Sequence, residues 1–193
     1  MKKLIFVSTI IFTIVLTAFT LTSKDQKVVI IDIGHGGKDP GASAEQILEK
    51  EVNLQLANKI KALNTRQELK LLFTRSGDEF LSIEDRVAFS KKHKANAFIS
   101  IHANYADTSK SGIELYYGRK NNSDKLAAHF KDHLSKNYKI NKVSSAGFTV
   151  LNDVPCPAIM IETGFLSNKN DRERLSSDEG QTKLAKAILA GLH

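Results

Sequence analysis

His35, His102 and Glu162 each come at or just beyond the end of a short apolar run of the sequence. The last two end the runs FISIH and AIMIE, and His35 follows VVIID after two further residues. A single residue of this kind is more often structural than functional. Three such residues at the same edge of one sheet are more consistent with a functional site, because burying unpaired ionisable groups is costly and a bound metal removes that cost. The pattern therefore predicts a metal site.

Two imidazoles and one carboxylate form a typical catalytic zinc set, since three protein ligands leave the fourth tetrahedral position to water. His35 and His102 supply the imidazoles in this interpretation. An acid near the loop after the first apolar run would supply the carboxylate, and Glu45, Glu49 and Glu51 all lie there. The residue types alone leave these three candidates open.

The loop around His35 is rich in glycine and reads GHGGKD. Such loops also bind phosphate, because glycines let backbone N–H groups approach an anion. This one lacks the third glycine of the dinucleotide fingerprint, and no Gly-Lys-Ser/Thr ending of a nucleotide loop follows. The glycines are therefore expected to permit a tight turn that brings His35 to the metal.

Apolar periodicity predicts an alternation of strands and helices that would position these residues. The run at 28–32 is β-branched and apolar on both faces, as in a buried parallel strand. The alternation predicts a three-layer α/β sandwich with a mostly parallel mixed sheet flanked by helices, and ligands bind beyond the carboxyl ends of such strands. Strands are predicted at 28–32, 69–74, 97–101, 112–117, 148–151 and 158–161, and helices at 49–63, 82–92, 123–137 and 182–192.

Residues 1–23 are predicted to direct export and to lie outside the folded domain, which is placed at 27–193. Lys2 and Lys3 precede an apolar run at 4–21, as in a secretory signal peptide. The alternative is a retained membrane anchor, because the run approaches spanning length and its cleavage site is poor. An uncleaved N-terminus would give transient membrane association.

The composition is that of a globular protein, with 193 residues, 41% hydrophobic and 25% charged. One domain is expected at this length. The net charge of +7 suits an anionic partner such as the cell wall or a membrane surface. Nucleic acid is not expected, because no basic run is interleaved with aromatic residues. Cys156 is the only cysteine and cannot form an intramolecular disulfide.

Six segments of the chain occur in the order of one known family. They are VIIDIGHGGKDPGA (29–42), EKEVNL (49–54), TR (74–75), FISIHAN (98–104), GIELYY (112–117) and ETGFLSN (162–168). This set closely resembles the catalytic domain of zinc-dependent N-acetylmuramoyl-L-alanine amidases of the AmiC and CwlV type, the amidase_3 domain. The resemblance runs from about residue 28 to the C-terminus, with Ile33 where the family usually has proline or alanine.

The resemblance implies that Glu49 is the third zinc ligand and that Glu162 is the catalytic acid and base. It also implies a fold of the phosphorylase/hydrolase-like, zinc-peptidase-like type. The expected substrate is peptidoglycan, cleaved between the lactyl group of N-acetylmuramic acid and L-alanine by a periplasmic, secreted or wall-associated protein. Asn104 and Arg75 are candidate substrate-binding residues, with a turn cap and an ion pair at the core edge as their structural alternatives.

Two other functions compete with this interpretation. A zinc peptidase that cuts within the stem peptide would use the same ligands. A catalytically inactive wall-binding module would usually have lost one of the four site residues, and this chain has all four.

The segment 118–147 is short, with room for one helix and none for a long autoinhibitory insertion, so activity is expected without an activator protein.

Overall fold

The structure is a computed structural model that describes residues 26–192. The predicted export segment at 1–23 lies outside the described residues. In this range the strands are β1 (Lys27–Ile33), β2 (Ser43–Ala44), β3 (Ile47–Leu48), β4 (Leu69–Phe73), β5 (Ala97–Asn104), β6 (Ile113–Tyr117), β7 (Ile140–Ser145) and β8 (Ala158–Phe165). The helices are α1 (Glu49–Leu63), α2 (Ile83–Lys92), α3 (Ser123–Leu134), α4 (Thr149–Asn152), α5 (Lys169–Ser176) and α6 (Asp178–Ala190). None of these helices is long and apolar enough to cross a membrane.

One six-stranded sheet organises the domain, with the order β4-β1-β5-β8-β6-β7. The first four strands are parallel, β6 is antiparallel to β8, and β7 is parallel to β6. The predicted mostly parallel mixed sheet is therefore confirmed. The strands β2 and β3 form a separate short hairpin just before α1.

Alternate residues of the central strands enter two different apolar clusters. Val29 and Ile31 of β1 pack in the same cluster as residues of α1, α3 and α6, whereas Ile30 packs with Val87 of α2 and Leu151 of α4. Helices therefore cover both faces of the sheet, as the three-layer prediction requires. Full burial of one such side chain stabilises the fold by about 1.5–3 kcal/mol.

The start of α1 is held by backbone groups of the preceding loop. Glu49 N–H donates to Ala42 O at 2.9 Å and Lys50 N–H donates to Pro40 O at 3.1 Å, while Leu48 provides no side-chain cap. These bonds satisfy donors that a helix N-terminus leaves unpaired. Glu49 is therefore fixed as the first helical residue, next to the loop that carries His35.

The predicted strand at 148–151 is wrong, because this segment forms α4 with Phe148 as its N-cap residue. A mostly apolar run of four residues, here FTVL, fits either a short strand or one helical turn, and periodicity does not separate the two. The segment 118–147 holds one helix, α3, as expected, and also the edge strand β7, which was not predicted. The sequence of β7 is INKVSS, and it escaped prediction because it is a mostly polar edge strand.

Helix α5 and the hairpin of β2 and β3 were not predicted either. Helix α5 has the sequence KNDRERLS and only one apolar side chain, so its pattern carries little amphipathic signal. It begins at the N-cap Asn168, whose side chain accepts a hydrogen bond from Asp171 N–H.

Candidate metal centre

His35, Glu49 and His102 converge at the carboxyl ends of the parallel strands. His35 Nε2 lies 3.0 Å from Glu49 Oε2, and His102 Nδ1 lies 3.0 Å from Glu49 Oε1. One ligand atom from each residue lies within 4.8 Å of the other two. The structure thus brings the three predicted ligands together, with the carboxylate between the two imidazoles.

Among the three acids that the residue types left open, Glu49 is the one in this cluster. It is 4% exposed, whereas Glu51 points to solvent from α1 and Glu45 pairs with Arg172. Burial acts to raise the pKa of Glu49, but hydrogen bonds with His102 and His35 outweigh it and hold that pKa well below its usual range. Glu49 is therefore a carboxylate, as a metal ligand must be.

Asp39 lies behind the imidazole of His35 and orients it. Its Oδ2 is 2.8 Å from His35 Nδ1, on the opposite side of the ring from Glu49. Burial acts to lower the pKa of His35, and the carboxylates of Glu49 and Asp39 together raise it. A carboxylate behind a ligating histidine fixes its tautomer and strengthens it as a ligand.

Two glycines leave the space that the ligand side chains occupy. A Cβ on Gly34 would lie 2.4 Å from the ring of His102, and one on Gly41 would lie 2.6 Å from both Glu49 Oε2 and the ring of His35. Gly41 also has a φ of 65°, and His35 itself has a φ of 61°. The predicted tight turn is therefore present, and it packs directly against the ligands.

Arg75 joins the backbone segments that carry two of the ligands. Its Nη2 donates to Gly34 O at 3.0 Å and to Lys50 O at 2.8 Å, which are the carbonyls next to His35 and Glu49. Its Nε donates to Ile33 O at 3.2 Å. The side chain of Arg75 is 3% exposed, and these hydrogen bonds engage its donors. Both observations support a positioning role for Arg75 rather than substrate binding.

Arg86 holds the same loop from the other side. Its guanidinium pairs with Asp32 Oδ1 at 2.6 Å and donates to the carbonyls of Ile33 at 2.7 Å and His35 at 3.0 Å. Asp32 also accepts from the hydroxyls of Thr74 and Ser100. A buried ion pair whose remaining hydrogen bonds are filled tolerates the loss of water, and this one fixes the loop around His35.

Glu162 lies on β8, directly across from His102 of β5 and from Glu114 of β6. Its Oε2 is buried with no hydrogen-bond partner among the described residues. Burial raises the pKa of Glu162 to about 7, with the charges of Glu49 and Glu114 acting in the same direction. Before metal binds, this carboxyl can therefore both accept and release a proton near neutral pH.

Asn104 of β5 belongs to a small polar network with Glu114 and Tyr116 of β6. Its Nδ2 donates to Glu114 Oε2 at 3.1 Å, and Tyr116 Oη donates to the same oxygen at 2.7 Å. The Oδ1 of Asn104 accepts a hydrogen bond from Tyr105 N–H at 2.8 Å, as expected if Asn104 caps the following turn. No role was predicted for Glu114 or Tyr116, because the contact between Glu114 and Asn104 depends on the strand order that brings β6 near β5.

An open cleft of about 580 Å³ leads to the metal-ligand cluster. It is lined by His35, Asp39 and His102 and by residues around the starts of α2 and α4. A larger groove of about 830 Å³ lies between α3 and α6 and contains none of the three ligands. The smaller cleft is therefore the one that gives a substrate access to this chemistry.

The donor set and its surroundings fit a catalytic zinc ion. Two imidazoles and a carboxylate face one point, Asp39 supports one imidazole, and Glu162 is close by with an unpartnered oxygen. These are the ligand types and supporting contacts of catalytic zinc sites.

Comparison with known proteins places this arrangement in one family. Residues 29–193 match the Amidase_3 family, N-acetylmuramoyl-L-alanine amidase. The uncharacterized protein YqiI of Bacillus subtilis (strain 168) is 34% identical, with 86% of this chain and 83% of YqiI covered. The amidase LytC of the same strain is 36% identical, with 86% of this chain but only 34% of LytC covered.

Solved structures agree with the family match. The catalytic domain of the amidase CwlV from Bacillus (Paenibacillus) polymyxa var. colistinus superposes with a TM-score of 0.82 at 34% identity, covering 86% of this chain and 96% of that one. An amidase from Clostridium difficile 630 gives 0.83 at 29% identity, covering 87% and 95%. The resemblance seen in the sequence motifs is confirmed: the chain belongs to the Amidase_3 family and is an N-acetylmuramoyl-L-alanine amidase, a hydrolase of cell-wall peptidoglycan.

Proposed function

We propose that this protein hydrolyses the amide bond between the lactyl group of N-acetylmuramic acid and L-alanine with a zinc ion held by His35, Glu49 and His102. Glu162 is the catalytic acid and base in this proposal. The observation that carries it is the convergence of the three ligand side chains at the strand ends beside the carboxyl of Glu162. Zinc in this position would polarise the scissile carbonyl and lower the pKa of a water molecule.

Glu162 is suited to move the proton in this reaction. Its carboxylate accepts a proton from the attacking water and delivers it to the nitrogen of alanine as the C–N bond breaks. The products are a lactyl carboxylate and a stem peptide with a free amino group. Its raised pKa, about 7 in the metal-free chain, supports both halves of this transfer.

The family acts on the cell wall, so the protein works outside the cytoplasm. We propose that residues 1–23 direct its export to the periplasm or the cell surface, either as a cleaved signal or as an anchor.

We also propose that no activator protein is required. The segment 118–147 supports this, because it folds into α3 and β7 at the edge of the sheet, and the cleft beside His35 and His102 is open.

The direct test is mass spectrometry of peptidoglycan digested by purified residues 24–193. Intact stem peptides with a free L-alanine amino terminus are expected, lost on chelation and restored by added zinc. Cleavage inside the stem peptide would instead indicate a zinc peptidase. A folded, zinc-loaded protein that cleaves nothing until a partner is added would contradict independence from an activator.

A further inference from the structure

The cleft beside the metal centre has an apolar rim that the reaction mechanism does not explain. Phe80 is 44% exposed, Ile83 is 48% exposed and Phe148 is 44% exposed, and all three line this cleft. They are three of the five large hydrophobic side chains exposed among residues 26–192. Isolated exposed apolar residues are ordinary, but a cluster in one concave site marks a binding surface.

Phe80 is held in a fixed position relative to the metal ligands. Gly37 N–H donates to Asp78 Oδ1 at 2.8 Å, and Lys50 Nζ bridges Asp78 Oδ2 at 2.7 Å and Gly37 O at 3.0 Å. A Cβ on Gly37 would lie 2.7 Å from the backbone nitrogen of Phe80, so the two segments are in close contact. The rim and the loop of His35 therefore form one preorganised unit.

Phe148 forms the opposite part of the rim and is supported from the sheet. Its ring contacts the ring of Tyr116 edge-on at a centroid distance of 5.7 Å. Its carbonyl accepts hydrogen bonds from the side chain of Asn152 at 2.8 Å and from Leu151 N–H at 3.0 Å. The side chain of Phe148 is thus exposed, while its backbone is held by hydrogen bonds.

One lysine lies over an aromatic ring of the rim, and a second lies over the ring of Tyr116 that supports Phe148. Lys38 Nζ lies 4.5 Å from the centroid of the Phe80 ring, and Lys142 Nζ lies 5.0 Å from that of Tyr116. Neither lysine forms an ion pair within the described range. The acids that line the cleft are already engaged, Asp32 with Arg86 and Asp39 with His35. The rim therefore suits an occupant with small apolar groups and free carboxylates.

We propose that Phe80, Ile83, Phe148 and Lys38 bind the stem-peptide side of the substrate and set its preference. This inference rests on the proposed function, in which the peptide is the leaving group. A stem peptide carries short apolar side chains and free carboxylates, and these match the aromatic rings and the lysine. The amide-linked sugar also stacks on aromatic rings, but it carries no carboxylate for the two cations to attract.

The test measures binding of a free stem peptide, which the amidase reaction cannot cleave, to zinc-loaded residues 24–193 by calorimetry. Phe80→Ala, Phe148→Ala and Lys38→Gln are each expected to raise the Kd about fivefold, because each removes either an apolar contact with the peptide or the charge that attracts its carboxylate. Val143→Ala and Lys61→Gln, at exposed positions on β7 and α1, are matched controls and should leave the Kd within about twofold. Thermal melting of every variant checks that it is folded.

A second measurement separates peptide recognition from glycan recognition. The variants at Phe80, Phe148 and Lys38 should raise KM for muramoyl-tetrapeptides while leaving kcat/KM for N-acetylmuramoyl-L-alanine nearly unchanged. Equal losses on both substrates, or unchanged binding of the free peptide, would overturn the proposal and assign the rim to the sugar or to neither. Wild-type cleavage at a different bond would instead refute the proposed function, and peptide binding would still be measured independently.

Discussion

The four parallel strands and the two-stranded edge of the same sheet contribute differently to this enzyme. The parallel half, made of β4, β1, β5 and β8, positions His35, His102 and Glu162 at its carboxyl ends, and its strands β1, β5 and β8 are largely buried on both faces. The edge, made of β6 and β7, is partly exposed and supplies Tyr116, against which Phe148 of the rim packs. The chemistry of the site therefore lies at the ends of the parallel strands, whereas the proposed recognition rim draws on both parts: Phe80 and Ile83 lie near the start of α2, beside the loop of His35, and Phe148 lies against β6.

The ligand loop and the cleft rim are expected to tolerate substitutions differently. Two buried arginines make most of their bonds to backbone carbonyls around the ligand loop, so small displacements there are resisted by several contacts at once. The cleft rim makes few such bonds through its side chains. Substitution is expected to abolish turnover in the first region and to change substrate preference in the second.

The largest expected effect is at the ends of two neighbouring parallel strands. Glu162→Gln should lower kcat by about 10²–10⁴-fold, the usual value of a general acid and base, while metal content is retained. His102→Ala should lose both turnover and zinc, because it removes a ligand. Parallel assays of turnover and metal content by mass spectrometry check this, and a fully active Glu162→Gln enzyme would contradict the assigned role.

Stability should show the same contrast between the two halves of the sheet. Ile161→Ala in β8 removes a fully buried side chain and should lower the free energy of unfolding by about 2–5 kcal/mol. Val143→Ala in β7 is 36% exposed and should change it by only about 0.5 kcal/mol. Urea denaturation of the two variants measures the difference, and equal losses would show that the edge is packed as tightly as the centre.

Arg75→Lys tests whether the ligand-bearing segments are held by the guanidinium fork. Lysine keeps the charge but cannot reach the carbonyls of Gly34 and Lys50 together, so zinc affinity should fall about 10–100-fold. Competition with a fluorescent chelator measures it. Arg172→Lys is the matched control, since Arg172 is also buried and donates to a carbonyl away from the metal ligands. Equal loss in both variants would point to general destabilisation.

Asp39→Asn should have a more modest effect on the same property. It keeps the size of the side chain but removes the negative charge behind His35, so zinc affinity should fall about tenfold. The same chelator competition applies. Unchanged affinity would mean that the ring of His35 is oriented by Glu49 and the loop backbone alone.

The pH dependence of stability without metal tests the environment of Glu162 itself. Because the pKa of Glu162 is raised from 4.5 to about 7 on folding, the folded state favours the protonated form and wild-type stability falls as pH rises through that interval. Glu162→Gln cannot lose a proton, so its advantage over wild type should grow by about 2–3 kcal/mol between these pH values. Melting in a chelator at several pH values measures it, and parallel curves would refute the raised pKa.

Much of the parallel half was predictable, because its signals are local. The runs that form β1, β5 and β8 are apolar on both faces, and their ends carry the residues that converge in the structure. The helix starting at Glu49 was also correct in its bounds. The edge was harder to predict, because β7 is mostly polar and the mostly apolar segment 148–151 fits either a strand or a helical turn until tertiary contacts select one.

The alternating α/β pattern, the two candidate imidazole ligands and the family could all be predicted from the chain alone, because periodicity and motif order are properties of the chain. Only the tertiary structure showed Glu49 between the two imidazoles, the carbonyl contacts of Arg75 and Arg86, and the rim of Phe80, Ile83 and Phe148. Each of these joins segments distant in sequence, and their contacts depend on how strands pair and helices pack. Spacing along the chain carries no record of those distances.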